Sequence, residues 1–145
     1  MERRMTRWVI PKVLARGHRP GYSGERRPVS AAETDAWLAE IRDLGITSII
    51  CLLSSDQLPL YDQLPGGLIA YYREAGFTVE HIPAKDYQHP PLTPNHLQRV
   101  WRAYQTLPKP VLVHCSAGID RTGLAIAYIQ KQLERASPPV ASKPD

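Results

Sequence analysis

The sequence predicts an α/β fold: a central, mostly parallel sheet flanked by helices, in one domain. Two observations carry this. Three short strand-like stretches, at 46–53, 77–82 and 111–113, each preceded by Gly or Pro, alternate with segments whose apolar residues recur at helical spacing. Strands alternating with helices in this order favour parallel pairing through helical crossovers. At 145 residues the chain is long enough for one proper core and too short for two.

Taken in order, Trp8 to Ile10 and Val13 to Arg16 read as two short strands broken by Pro11. Gly17 to Pro28, rich in Gly, Pro and Arg, reads as a loop. Ser30 with Glu33 forms a capping box, and Trp37, Leu38, Ile41 and Leu44 continue a helix that Gly45 stops. Ile46 to Leu53 is a run apolar apart from Thr47 and Ser48, the pattern of a strand buried on both faces. Leu68 to Ala75 fits a short helix ended by Gly76, and Phe77 to Ile82 a strand closed by Pro83. Lys85 to Pro91 is a polar loop. Thr93-Pro94 places an N-cap before a proline at the first helical position, and Leu97, Val100, Trp101 and Tyr104 mark an amphipathic helix ending before Pro108. Val111-Leu112-Val113 reads as a strand and Leu124 to Leu133 as the last helix. Residues 1–135 are expected to form the single domain, and 136–145, rich in Pro, Ser and Ala, a disordered tail. There is no internal repeat.

Composition excludes several classes. No stretch approaches the roughly 20 apolar residues of a membrane span, and the first residues lack the apolar core of a secretory signal. Two cysteines, Cys51 and Cys115, do not make a secreted disulfide framework, so a cytoplasmic location is expected. No Cys/His spacing suits zinc, and no metal or cofactor is expected. The net charge of +4 is uneven. Residues 1–27 hold eight basic side chains against Glu2 and Glu25, which is either a solvated terminus or a positive rim drawing in anionic substrates. These cations are not interleaved with stacking aromatics, which argues against nucleic acid.

The chemistry concentrates in His114-Cys-Ser-Ala-Gly-Ile-Asp-Arg-Thr-Gly123. A strand, a tight loop and a helix start aim several backbone N–H groups at one point beside a positive helix end, which makes an anion site. Cys115 at its floor is a nucleophile in its thiolate form, which a helix N-terminus and nearby cations favour. Arg121 offers a planar fork matching two phosphoryl oxygens. The backbone of Ser116, Ala117, Gly118, Ile119, Asp120 and Arg121 is expected to bind phosphate, with Gly118 allowing close approach. Thr122 is expected to donate to the Cys115 sulfur, and His114 to hold the loop backbone. Attack on a phosphate ester also needs a general acid. Asp86 is the candidate, at the strand end in Ile82-Pro83-Ala84-Lys85-Asp86, although these residues alone equally suit an ordinary turn aspartate.

The loop and its flanks resemble the cysteine-dependent protein tyrosine phosphatase superfamily, in particular its compact, atypical dual-specificity branch. The resemblance covers nearly the whole chain. Trp8-Val9-Ile10-Pro11 with Leu14-Ala15 is similar to the N-terminal strands of that branch, and Leu44-Gly45-Ile46 to its first helix–strand unit. Ile82-Pro83, an aspartate and Pro90-Pro91 resemble its general-acid loop, and Asp86 stands 29 residues before Cys115, about where the family places its acid. The resemblance implies a monomeric phosphatase of phosphotyrosine, with phosphoserine and phosphothreonine as further substrates, acting through a phosphocysteine intermediate. It also implies that phosphate, sulfate or vanadate occupies the loop.

Asp120 departs from the small residue common in protein-directed members and is similar to loops of phosphoinositide phosphatases. Those loops carry a lysine beside it, where this chain has Ile119. Asp120 is therefore read as a loop-orienting carboxylate or a second acid/base. The competing functions are a phosphatase of phosphoinositides, inositol phosphates or RNA 5′-phosphates, and a non-catalytic phosphate-binding module. Cys51 is read as a small buried hydrophobe, with a redox partnership to Cys115 as the alternative. His81, His89 and His96 are read as solvated or capping residues, and Arg16 and Arg19 by default as exposed loop residues, with reach to a substrate as the alternative. The segments 17–28 and 54–67 are expected to wall the pocket.

Overall fold

A computed structural model describes residues 6–136; the expected tail from 137 onward, and Arg3 and Arg4, lie outside the described residues. Five strands form one sheet in the order β1-β2-β5-β3-β4: β1 (Arg7–Ile10), β2 (Leu14–Gly17), β5 (Val111–His114), β3 (Ser48–Cys51) and β4 (Thr78–His81). β1 pairs antiparallel with β2, and the other three pairings are parallel. The two N-terminal strands are thus one hairpin. Its turn is closed by Val13 N–H on Ile10 C=O at 2.9 Å, with Lys12 left-handed at φ 62°.

Strand side chains alternate between faces, and that alternation sorts the core. Leu14, Ile50, Val111 and Val113 point to one face, under α3 (Pro94–Thr106) and α4 (Asp120–Ala136). Ala15, Ile49, Cys51 and Leu112 point to the other, under α1 (Ala31–Asp43) and α2 (Gly67–Glu74). Both faces are covered, so the central sheet carries the apolar runs Ile49 to Leu53 and Val111 to Val113. The three-layer α/β architecture is the one the sequence predicts.

Ser30 caps α1 in a reciprocal capping box with Glu33. At α3 the same device is built with a histidine: Thr93 Oγ1 accepts from His96 N–H, and His96 Nδ1 accepts from Thr93 N–H at 3.0 Å. His96 is therefore a capping residue. Two expectations need correction. A 3-10 turn at Leu58–Tyr61 occupies a stretch where the sequence suggested no element. α4 begins at Asp120, four residues before Leu124, and continues through Ala136. Gly123 had suggested loop; instead its N–H bonds Ile119 C=O at 2.8 Å and propagates the helix.

Candidate active site

The central strand β5 delivers His114 and Cys115 to its C-terminal end, the ligand-binding end of parallel α/β sheets. Loop 115–119 then turns directly into α4. The amides of Ser116, Ala117, Gly118 and Ile119 donate to no protein acceptor among the described residues. They stand beside the free amides of the first helical turn. Gly118 is left-handed at φ 80°, and a Cβ there would lie 2.4 Å from Gly17 C=O. Only glycine lets the loop pack this tightly on the end of β2.

Two arginines from the β2 exit tie the loop down. Arg16 Nη2 donates to Gly118 C=O at 2.9 Å. Arg19 N–H donates to Ser116 C=O at 2.9 Å, and Arg19 Nε to Ser116 Oγ at 3.1 Å. Carbonyls held outward in this way leave the loop amides turned inward. The reading of Arg16 and Arg19 as exposed loop residues is corrected: Arg19 is buried and Arg16 half-buried. The reason is tertiary, since the segment after β2 runs alongside the β5 loop.

His114 lies wholly buried beneath the loop. Its pKa falls from the ordinary 6.5 to about 3, chiefly through burial, so the ring is neutral. Nδ1 is 2.9 Å from Cys115 C=O, which can only accept, so Nδ1 carries the proton. Nε2 therefore accepts from Tyr72 Oη at 2.8 Å. Trp37 packs edge-on against the imidazole, its centroid 5.4 Å away, and donates from Nε1 to His18 C=O at 3.0 Å. α2 thus reaches the cysteine loop through the polar chain Tyr72–His114–Cys115 C=O, and α1 through the ring of Trp37.

Arg121 is almost fully buried. Nη1 donates to Ala84 C=O at 2.7 Å, Gln57 Oε1 at 2.9 Å and Leu52 C=O at 3.2 Å. Three acceptors on one nitrogen fix the plane of the guanidinium. Nε and Nη2 have no hydrogen-bond partner among the described residues. Asp86 Oδ2 forms an ion pair with Nη2 at 3.2 Å, and Gln57 Nε2 reaches the same oxygen at 3.4 Å. The structure thus brings Asp86, Arg121 and Cys115 to one pocket of about 250 Å³. Gln57, buried behind them, escaped the sequence reading. It sits in an irregular stretch without periodicity or motif, and no local signal marks it.

Thr122 Oγ1 is buried without a hydrogen-bond partner among the described residues, so the expected bond to the Cys115 sulfur is not made. Thr122 lies inside α4 rather than on the loop, and its side-chain direction follows the helical backbone. The Asp120 carboxylate stands on the pocket rim and makes no hydrogen bond or ion pair among the described residues, so it does not orient the loop through one there. Of the two expected walls, segment 17–28 lines the pocket and 54–67 does not; its Gln57 acts from behind. Cys51 faces the α1/α2 layer, fully buried, whereas Cys115 belongs to the α3/α4 side, and both are free thiols. Burial pushes the Cys51 thiol up to about 12, the behaviour of a packed hydrophobe. No group of metal-ligating side chains occurs among the described residues, and no helix there is long and apolar enough to cross a membrane.

Comparison with known proteins agrees with this geometry. The family model described as "Polymorphic toxin system, DSP-PTPase phosphatase" matches residues 23–132. No curated protein matches the chain in sequence. Among solved structures, kinase associated phosphatase (KAP), with its catalytic-site cysteine replaced by serine, superposes with a TM-score of 0.65 at 19% identity, over 87% of this chain and 68% of that one. The core catalytic domain of the PP-IP phosphatase SIW14 from S. cerevisiae, in complex with citrate, gives 0.58 at 19% identity, over 94% and 70%. Tk-PTP gives 0.57 at 18% identity, over 88% and 71%. At these identities the likeness is one of fold.

Proposed function

The chain belongs to the DSP-PTPase phosphatase family of polymorphic toxin systems, and from that premise we propose that it hydrolyses phosphotyrosine in proteins or peptides. One observation carries the substrate class. The large hydrophobic side chains exposed among the described residues are Tyr22, Tyr87 and Ile119, and all three line the pocket over Cys115. Such a collar suits the ring of an aryl phosphate and wastes apolar surface on an inositol phosphate. The charges support the same choice. Arg19, Arg26 and Arg121 line the pocket, but so do Glu25, Asp86 and Asp120, which leaves no cationic surplus for a polyanion.

In the proposed mechanism Cys115 Sγ, as thiolate, attacks phosphorus in line with the leaving oxygen. The S–P bond forms as the P–O bond breaks, and Asp86 gives its proton to the departing tyrosyl oxygen. Nε and Nη2 of Arg121, together with the loop amides, bind the equatorial oxygens, whose charge must be held in place throughout transfer. Nη1 is saturated by three fixed acceptors, so the free edge of the fork is presented in one orientation. Asp86 then takes a proton from water, which attacks the phosphocysteine and releases phosphate and thiolate. Arg121 therefore has a second duty, holding Asp86 at 3.2 Å until substrate arrives. Neither metal nor cofactor enters these steps, and the proposal includes a monomer acting in the cytoplasm.

The test is a panel of a phosphotyrosyl peptide, a phosphoseryl peptide, a phosphoinositide and an RNA 5′-phosphate, assayed with the wild type and Cys115→Ser. The expected result is fastest turnover of the phosphotyrosyl peptide, abolished in the variant and blocked by vanadate. Preference for the phosphoinositide would overturn the substrate class. Undiminished activity of Cys115→Ser would overturn the mechanism.

A further inference from the structure

Arg19 is a guanidinium only 2% exposed, yet no carboxylate pairs with it among the described residues. Its partners among the described residues are all neutral. Nε donates to Ser116 Oγ at 3.1 Å, Nη1 donates to Tyr61 Oη at 3.1 Å, and the guanidinium carbon lies 5.5 Å from the centroid of the Tyr22 ring. Tyr61 cannot serve as a counter-ion. Its hydroxyl donates onward to Pro20 C=O at 2.7 Å, and burial raises its pKa to about 12. A buried cation without an opposite charge is costly, by several kcal/mol per ion even after relaxation. Nothing in packing requires that cost, because the stem of a methionine or the amide of a glutamine would span similar ground.

Arg19 lines the same pocket as Cys115 and Arg121. Two of its three guanidinium nitrogens are taken by Ser116 and Tyr61, which leaves Nη2 for the pocket. Its anchor, Ser116, is the residue immediately after the candidate nucleophile, so the charge sits at the start of the anion-binding turn. Arg121 approaches from the other end of that turn, already shared with Asp86.

Resting on the phosphatase reading above, we infer that Arg19 is a second anion-binding cation of this pocket, contributed by the β2 exit rather than by the cysteine loop, with the bound phosphate as its counter-ion. Arg19 then couples substrate binding to loop shape, since the guanidinium that meets the anion also holds the Ser116 hydroxyl. Tyr61 and Tyr22 fix its position, one by accepting a hydrogen bond and the other by offering a π face.

The test measures binding of inorganic phosphate by calorimetry to the wild type, Arg19→Gln and Arg19→Lys, with Arg27→Gln as a control. Arg27 pairs with Glu33 on the surface at 2.8 Å, away from the pocket. Arg19→Gln keeps an N–H donor for Ser116 but loses the charge together with the Tyr61 bond. Tyr61→Phe, measured alongside, loses that bond and keeps the charge, so a purely structural arginine predicts equal loss of affinity in the two variants. The expected result is a phosphate Kd raised about 10- to 100-fold in Arg19→Gln, the range for losing a charged hydrogen bond. Arg19→Lys and Tyr61→Phe should be affected less, and the control should equal the wild type. Equal affinity of Arg19→Gln and wild type, or of Arg19→Gln and Tyr61→Phe, would overturn the inference while leaving the phosphatase reading intact. Failure of the wild type to bind phosphate would instead overturn the site itself. If both Arg19 substitutions prevent folding, ¹⁵N spectra of the wild type decide. Arg19 Nε must shift on phosphate addition, and an unmoved signal overturns the inference.

Discussion

Acid should destabilise this protein through His114. The imidazole is buried, neutral and lowered to about 3, whereas in the unfolded chain it titrates near 6.5. The unfolded state therefore binds more protons between these values, and stability falls as pH drops from about 6.5 toward 3. Each unit in that window costs about 1.4 kcal/mol, so lowering the pH from 7.5 to 4.5 removes about 2.7 kcal/mol. That is a large share of the roughly 5–15 kcal/mol that holds an ordinary domain together. The protonated ring would also lose its role as acceptor. Nε2 would become a donor facing the Tyr72 hydroxyl, which would have to rotate and find another acceptor in a sealed interior.

The assay is urea unfolding at half-unit steps from pH 7.5 to 4.5, for the wild type and His114→Gln. Glutamine can donate to Cys115 C=O and accept from Tyr72 without titrating. His18 is also pushed down, first by burial, and adds to the slope in both proteins. The difference between the two curves therefore isolates His114. The expected outcome is a variant less stable at pH 7.5 whose deficit shrinks by about 2.7 kcal/mol by pH 4.5. Parallel curves would refute the neutral, buried assignment, and with it the tautomer drawn from Cys115 and Tyr72.

Three further outcomes follow from the site. Gly118→Ala should reduce kcat by about 100-fold or more, since a Cβ 2.4 Å from Gly17 C=O forces the loop off β2 and misplaces the amides; wild-type turnover would show that the loop tolerates the shift. Gln57→Ala should lower kcat about tenfold with little change in KM, because Arg121 Nη1 loses one of three acceptors and Asp86 loses a donor; an effect confined to KM would make Gln57 a binding residue only. Asp86→Asn should flatten one limb of the pH–rate profile with an aryl phosphate, while Asp120→Asn leaves both limbs in place. The reverse pattern would transfer the acid role to the rim carboxylate.

Local chemistry was readable in the sequence and long-range chemistry was not. The capping box at Ser30, the proline-led start of α3 and the alternation that sorts Ile49 from Ile50 each depend on residues within a few positions of one another. The cysteine loop is local in the same sense, with nucleophile, glycine and arginine inside one turn. Arg16 and Arg19 lie about a hundred positions before the loop they restrain, and their own neighbours, Gly17, His18 and Pro20, spell an exposed turn. Gln57 reaches Arg121 across 64 positions and has no periodicity to announce it.

The same distinction explains why loop 115–119 is only half a phosphate site. Its amides and Gly118 supply the shape, but the groups that hold this shape arrive separately: Arg16 and Arg19 from β2, His114 with Tyr72 and Trp37 from beneath, and Gln57 with the Ala84 and Leu52 carbonyls around Arg121. A loop with several unpaired amides and a buried guanidinium would relax if any of these supports were absent, because each of its polar groups could find a partner in another conformation. Rigidity here therefore comes from residues on β2, β5, α1 and α2 and on the loops that follow β2, β3 and β4. Variants in these supports should lower kcat while the loop sequence stays intact, the signature of a site whose preorganisation lies outside its motif.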